Sequence, residues 1–123
     1  MAEDLVDRVA AAHGGAGPCR TRSVPLGLHG SATAAVQLAR AEVTRLGLPP
    51  RAGTRLVRRY GDDWREAVRM ISAEPSLGDP VVSGLPVLGV EVNLARSREM
   101  ALTDEDIYVR RTRLKPSGGW PPG

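Results

Sequence analysis

Val87–Ala101 reads VLGVEVNLARSREMA, and whether it is a strand or a helix decides whether this chain holds a sheet. Val90, Val92 and Leu94 alternate as a half-buried strand would. Helical spacing instead places Leu88, Glu91, Ala95 and Arg98 on one face and Val87, Val90, Leu94 and Ser97 on another. The continuation into RSREMA favours helix, so the stretch is read as a helix from about Pro86, with the proline in its first turn. The strand alternative stays open at 88–94. On the helical reading the chain is all-α, a small multi-helix domain with short Gly/Pro-rich connections.

Toward the C-terminus, LTDEDIYVRRTRL (102–114) carries its own start signal. Thr103 followed three residues later by Asp106 is a capping-box pattern, and Asp104 and Glu105 favour the positive end of the helix dipole. Arg110, Arg111 and Arg113 sit near the negative end. After Leu114 the tail KPSGGWPPG is expected to be disordered.

Toward the N-terminus, Leu5, Val6, Val9 and Ala10 make the stripe of a short amphipathic helix over 2–13, stopped by Gly14 and Gly15. The following seventeen-residue Gly/Pro-containing run reads as loop, with a brief extended piece around 23–26. An alanine- and valine-rich helix is expected from about Ser31, its cap, to Leu46, ended by Gly47 and Pro49-Pro50. TRLVRRYG (54–61) reads as a helical turn or two stopped by Gly61. Asp62 or Asp63 can then cap a helix in which Trp64, Val68 and Ile71 recur at spacings of four and three. VVSGLP (81–86) is a turn-rich lead into the stretch quoted first.

The length of 123 residues fits one domain with a modest core. With no Phe, two Trp and two Tyr, that core has to be aliphatic. The net charge of +3 comes from sixteen arginines and one lysine set among fourteen acids. No long basic run or basic–aromatic interleaving accompanies the high pI, so nucleic acid is not expected as a partner. No stretch approaches the length of a membrane span, and the first residues lack the apolar region of a signal peptide. The chain is expected to be cytoplasmic.

Little in the sequence resembles catalytic machinery. His13 and His29 stand beside glycines without further ligands at metal-binding spacing, so no metal site is expected. Cys19 is the only cysteine; Arg20 and Arg22 nearby favour a thiolate, but no resolving cysteine or base accompanies it. HGGAG (13–17) follows a helix where a phosphate-binding glycine turn would follow a strand, and it reads as a helix stop. Glu91 and Glu99 lie eight residues apart, roughly 12 Å along a continuous helix, too far to share one reacting bond. Glu99 is better read as a partner for an arginine. Arg110, Arg111 and Arg113 are the best polar candidates, because guanidinium forks grip carboxylate or phosphate. On a helix Arg110 and Arg113 share a face, while Arg111 points about 100° away from Arg110. Interface salt bridges are the first reading of this cluster and a small-anion site the second. No catalytic, cofactor-binding or metal-binding residue is assigned.

Three motifs in order carry a resemblance: Arg59-Tyr60-Gly61, the LPVL..EV element ending at Val92, and Glu99, Ala101, Thr103, Asp106, Arg110, Arg111 and Thr112. With them the chain resembles the C-terminal helical domain of FAD-dependent glycerol-3-phosphate dehydrogenase, shared with glycerol-3-phosphate oxidase. The openings MAEDLVDRV and PCRTRSVPLGL are also similar, so the likeness covers roughly residues 1–114. It implies a flavoenzyme that converts sn-glycerol 3-phosphate to dihydroxyacetone phosphate, often at the membrane surface and passing electrons to quinone. The family's FAD and substrate residues lie upstream of the matched region, and none can be carried over to this chain.

The implied organisation is a connector over 1–30, a helical cap domain over 31–114 and a tail over 115–123. Its expected partner is a flavoenzyme catalytic domain, in cis or, for a stand-alone adapter, in trans. A chain of this kind, whether a truncated product, a misplaced start or a cloned fragment, is expected to be inactive alone. A third reading has it complete an active site in trans. Apolar surface that would face the larger body is expected to favour self-association.

Overall fold

A computed structural model describes residues 2–14, 17, 19, 20, 22–24 and 27–118. Among the described residues there are five α-helices: α1 (Ala2–His13), α2 (Ala32–Arg45), α3 (Pro50–Tyr60), α4 (Trp64–Ala73) and α5 (Gly89–Ser97). Short 3-10 turns occupy Gly61–Asp63 and Pro75–Gly78, and a π-helix spans Asp106–Arg111. The all-α expectation holds. Among the described residues the only β-type pairing is a single antiparallel bridge between Pro80 and Leu88.

That bridge explains the ambiguity of Val87–Ala101. Val81 N–H donates to Val87 and Gly89 N–H to Asp79, both at 2.9 Å, so the chain stays extended through Leu88. The helix therefore begins at Gly89, three residues later than expected, and Pro86 lies outside its first turn. It also ends earlier. Ser97 is the last helical residue, and Met100 adopts a φ of 55°, which breaks the register expected through RSREMA.

Elsewhere the start signals act much as their chemistry predicts. Ser31 caps α2, its hydroxyl accepting from Ala34 N–H at 3.3 Å. Pro50 does not merely end α2; it opens α3 at the first helical position, where a missing N–H is tolerated. α3 is accordingly longer than the one or two turns expected. Neither Asp62 nor Asp63 caps α4 through its side chain, because the 3-10 turn winds directly into that helix. The extended piece expected at 23–26 is a turn at Ser23; residues 25 and 26 lie outside the described residues. The tail is described only to Gly118, as turns from Leu114, and its last five residues also lie outside.

The core is aliphatic apart from Trp64. Ala35, Ala39 and Val43 of α2 meet Ala52, Leu56 and Val57 of α3, with Ala67, Val68 and Ile71 of α4 and Val90 and Leu94 of α5 packed around them. Small residues make the α2–α3 contact close. A Cβ on Gly53 would stand 2.5 Å from the Ala39 carbonyl carbon and 2.6 Å from Arg40 N, so only glycine permits the approach. A smaller cluster of Ala95, Ala101 and Ile107 seats the π-helix on α5. Trp64 is buried, and its indole Nε1 has no hydrogen-bond partner among the described residues.

Candidate functional site

The polar organisation centres on α3. Its residues 52, 53, 56 and 57 face the core, which leaves Arg51, Arg55, Arg58 and Arg59 on the other side at spacings of four, three and one. Glu91 lies in the first turn of α5 and is fully buried. Arg55 grips it with both arms of the fork, Nε to Oε1 and Nη2 to Oε2, each at 2.8 Å. Oε1 also accepts Leu88 N–H at 3.1 Å, so the same carboxylate closes the start of α5. Arg59 Nε stands 3.6 Å from Glu91, and its Nη2 donates to Glu99 at 3.2 Å. Arg111 completes the chain of charges, donating from Nε to the Glu99 carbonyl at 3.0 Å and lying 3.7 Å from its carboxylate.

The two glutamates thus meet at one arginine. The helical separation expected for Glu91 and Glu99 fails because α5 ends at Ser97 and the chain folds back. Glu99 does partner arginines, as its sequence setting implied. Both carboxylates are engaged by arginines, Glu91 by Arg55 and Arg59 and Glu99 by Arg59 and Arg111.

Arg59-Tyr60-Gly61 is the hinge of this arrangement. Arg59 Nε donates to the Tyr60 hydroxyl at 2.9 Å, and its guanidinium lies 5.2 Å from the Tyr60 ring centre. Burial pushes the Tyr60 hydroxyl up to about 12, against the opposing pull of the Arg59 charge and hydrogen bond. Burial works against the charge on Arg59, but the Tyr60 hydroxyl and the Glu99 and Glu91 carboxylates outweigh it and hold the guanidinium above its ordinary value. Gly61 has φ 56° and ψ −130°, which few residues other than glycine adopt. A Cβ there would sit 1.7 Å from the Gly27 carbonyl oxygen, the atom that accepts Asp62 N–H at 2.7 Å. The Asp62 carboxylate in turn takes the backbone N–H and the Nδ1 of His29, both at 2.7 Å. These bonds from His29 hold the Asp62 carboxyl below its usual range. Residues 27–29 are pinned to the α3–α4 corner in this way.

Thr103 and Asp106 form a reciprocal cap. Asp106 N–H donates to Thr103 Oγ1 at 3.1 Å, while Asp106 Oδ2 accepts from Thr103 N–H at 3.0 Å and from the Thr103 hydroxyl at 2.8 Å. Leu102 N–H adds a third contact at 3.2 Å. Together they depress the Asp106 carboxyl, with the Thr103 side chain the largest influence.

The three candidate arginines do not form one cluster. Arg110 turns back to Asp106 at 2.8 Å and Glu105 at 3.7 Å, whereas Arg111 joins Glu99. Arg113 lies past the end of the π-helix with φ 55°, so the shared face expected for Arg110 and Arg113 is absent. Arg113 instead borders a groove of about 750 Å³ with Arg40, Arg51, Arg55, Arg58 and Arg59. Sequence does not single out Arg51, Arg55 and Arg58, since the helix expected there begins at residue 54; with α3 starting at Pro50 they form an i, i+4, i+7 stripe, while no sequence signal marks Arg40. His13 is exposed and Cys19 is exposed. Gly14 follows α1 with φ 66°, in keeping with a helix stop, while Gly15 and Ala16 lie outside the described residues. Among the described residues, no group of three or more His, Cys, Asp or Glu could hold a metal ion, and no helix is long and apolar enough to cross a membrane.

Residues 19–117 match the family described as the C-terminal domain of alpha-glycerophosphate oxidase. The chain belongs to this family. Curated relatives named glycerol-3-phosphate dehydrogenase 1, from Mycobacterium bovis and Mycobacterium tuberculosis, are 34% identical over 115 residues. The match covers 93% of this chain and 20% of each relative, so the chain spans about one fifth of their length. No solved structure matches the chain.

Proposed function

We propose that this helical domain serves a glycerol-3-phosphate dehydrogenase as its C-terminal cap, docking on an FAD-bearing catalytic body and contributing no chemistry of its own. The family match over residues 19–117 carries the reading. The ion-pair system supports it, because Glu91 and Glu99 are spent on joining α3, α5 and the segment before the π-helix rather than aimed at a substrate. The α1 stripe of Leu5, Val6 and Val9 is more than half exposed at each residue, as are Met100 and Leu102, which gives the domain apolar surface for a larger body. Left uncovered, the same residues favour self-association. Arg110, exposed at the end of the domain, is the polar contact we assign to that docking, with Arg111 and Arg113 beside it in sequence. We place the assembly in the cytoplasm.

The test is reconstitution. The purified full chain, supplied with FAD, glycerol 3-phosphate and an artificial electron acceptor, should neither turn over nor retain flavin absorbance. Added to, or fused with, the catalytic part of a glycerol-3-phosphate dehydrogenase relative, it should co-elute on size exclusion and raise the melting temperature of that part. Turnover by the chain alone would overturn the reading, and so would failure to associate in both the fused and the mixed arrangement.

A further inference from the structure

Four arginines on the groove beside α3 have no carboxylate partner among the described residues. Arg55 and Arg59 are committed to Glu91 and Glu99, but Arg40, Arg51, Arg58 and Arg113 form no ion pair there, and all four are exposed. Away from the groove Arg45, Arg69, Arg96, Arg98 and Arg110 each lie within 4 Å of an acid, and the other arginines without an ion pair among the described residues, Arg8 and Arg20, do not line it. Like charges gathered on one concavity repel one another, and the fold holds them there actively. The glycine contact at Gly53 seats α3 against the backbone of α2 at Arg40, and Arg113 keeps a left-handed backbone that non-glycine residues adopt at some strain. Arg55 is fixed by the buried Glu91, so the floor of the groove is rigid.

We propose that this groove is a binding site for a small molecule carrying two or more linked phosphate groups. Guanidinium forks match phosphate oxygens bidentately. Arg51, Arg55 and Arg58 advance along α3 by roughly 10 Å from first to last. A single phosphate offers too few oxygens to engage cations spread over that length together with Arg40 and Arg113 on the same groove, whereas two or three linked phosphates offer more oxygens and reach further along it. Thr54 lies between Arg51 and Arg55 on the same wall and supplies a hydroxyl. The volume of about 750 Å³ lies in the range of small-molecule pockets. A protein partner would seek aromatic or aliphatic anchors at the centre of its footprint. The large exposed apolar residues among the described ones, Leu5, Val6, Val9, Val24, Leu38, Met100 and Leu102, are not among those that line the groove. The site does not depend on the docking function and can be tested on the full chain alone.

Isothermal titration of the full chain with orthophosphate, pyrophosphate and tripolyphosphate decides the matter. Saturable one-to-one binding is expected for the linked phosphates, tighter than orthophosphate by about tenfold and weakened by added salt. The pair Arg51→Gln and Arg58→Gln should weaken pyrophosphate by about tenfold or more without lowering the unliganded melting temperature, since neither residue has an ion pair to lose. Arg40→Gln, on a separate helix, provides a second variant with the same expectation. Arg96→Gln, away from the groove, should bind as the parent does. Equal weak responses to all three anions, or equal losses in Arg96→Gln, would overturn the proposal. So would saturable binding of a glutamate-rich peptide or a single-stranded RNA by a chain that ignores pyrophosphate.

Discussion

Replacing Glu91 by Gln isolates the charge at the centre of the ion-pair system from every other role of that side chain. The amide keeps an oxygen for Leu88 N–H and Arg55 Nε, which now share Oε1, so the cap on α5 survives. At the Oε2 position, however, an NH2 group would face Arg55 Nη2 at the present 2.8 Å, donor against donor. One charge-assisted hydrogen bond is lost, about 1.5–3 kcal/mol. The two guanidiniums also lose their shared counter-charge. Removing one member of a buried pair costs about 3–5 kcal/mol when the survivor stays dry. Arg55 and Arg59 retain 27% and 22% side-chain exposure, so water relieves part of that penalty. The expected loss is therefore about 3 kcal/mol, a large share of the stability of a domain this size.

Urea unfolding followed by far-ultraviolet circular dichroism measures this, with the midpoint falling and the slope unchanged. The loss should persist in high salt, because the pair is shielded from solvent ions. By contrast, Asp104→Asn, which removes the exposed partner of Arg96, should cost no more than about 1 kcal/mol. Arg55→Gln alone leaves Glu91 buried without its bidentate partner, and the double variant should be less destabilised than the sum of the singles by about 1–2 kcal/mol. A Glu91→Gln cost below about 1 kcal/mol, or simple additivity in the double variant, would refute the claim that this buried carboxylate couples α3 to α5.

Gly61→Ala should cost about 2 kcal/mol or more, since the new methyl meets the Gly27 carbonyl and the backbone is held at positive φ; faster hydrogen exchange at the His29 amide would show that residues 27–29 are released, and unchanged exchange would oppose the pinning. Thr103→Ala should lower stability by about 1 kcal/mol in urea, the usual loss for an N-cap. The same cap has an acid signature: Asp106 is depressed in the folded chain, so its contribution is complete above the unfolded carboxyl value near 4 and disappears as pH falls through the lower folded value. Asp106→Asn should flatten that part of the acid limb in denaturant midpoints measured against pH. Tyr60 runs the other way, because burial raises it to about 12 while the unfolded phenol ionises near 10. Its stabilisation is complete below about pH 10 and lost as pH rises toward the folded value. Tyrosinate absorbance should show a late alkaline step that Tyr60→Phe removes.

Local signals in this sequence were readable where the chain satisfies itself within a few residues. Ser31 capping α2 and Thr103 with Asp106 capping the last helix needed only spacing and side-chain type, and both caps form. The aliphatic stripe of α4 needed only its period. What escaped was set by distant partners. Val87 and Leu88 are held extended by residues 79–81, which no periodicity inside Val87–Ala101 reveals. Asp62 has the chemistry of a cap, yet His29, thirty-three residues away, takes its carboxylate. Glu91 and Glu99 looked separated because a continuous helix was assumed between them. Once Met100 turns the chain back, one arginine serves both.

The arginines divide by the same logic, and the division separates architecture from binding. Arg55, Arg59 and Arg111 face carboxylates that arrive from other elements, and their positive charge is consumed in fixing α3, α5 and the C-terminal segment. Arg40, Arg51, Arg58 and Arg113 face no such carboxylate among the described residues, although they line the same concavity. Spacing along α3 cannot tell the two groups apart, since Arg51, Arg55 and Arg58 share one face. The buried Glu91 makes the distinction: it draws in Arg55 and leaves the positions one turn before and after it turned toward solvent. The fold thus removes two of the six groove arginines from use and holds four ready. The fixed pair gives the others a rigid base, so loss of Glu91 should loosen the groove as well as the core. Pyrophosphate titration of the Glu91→Gln chain, at a temperature where it remains folded, should therefore show weaker binding although no groove arginine has been changed. Unaltered affinity there would mean that the four outer arginines bind independently of the network beneath them.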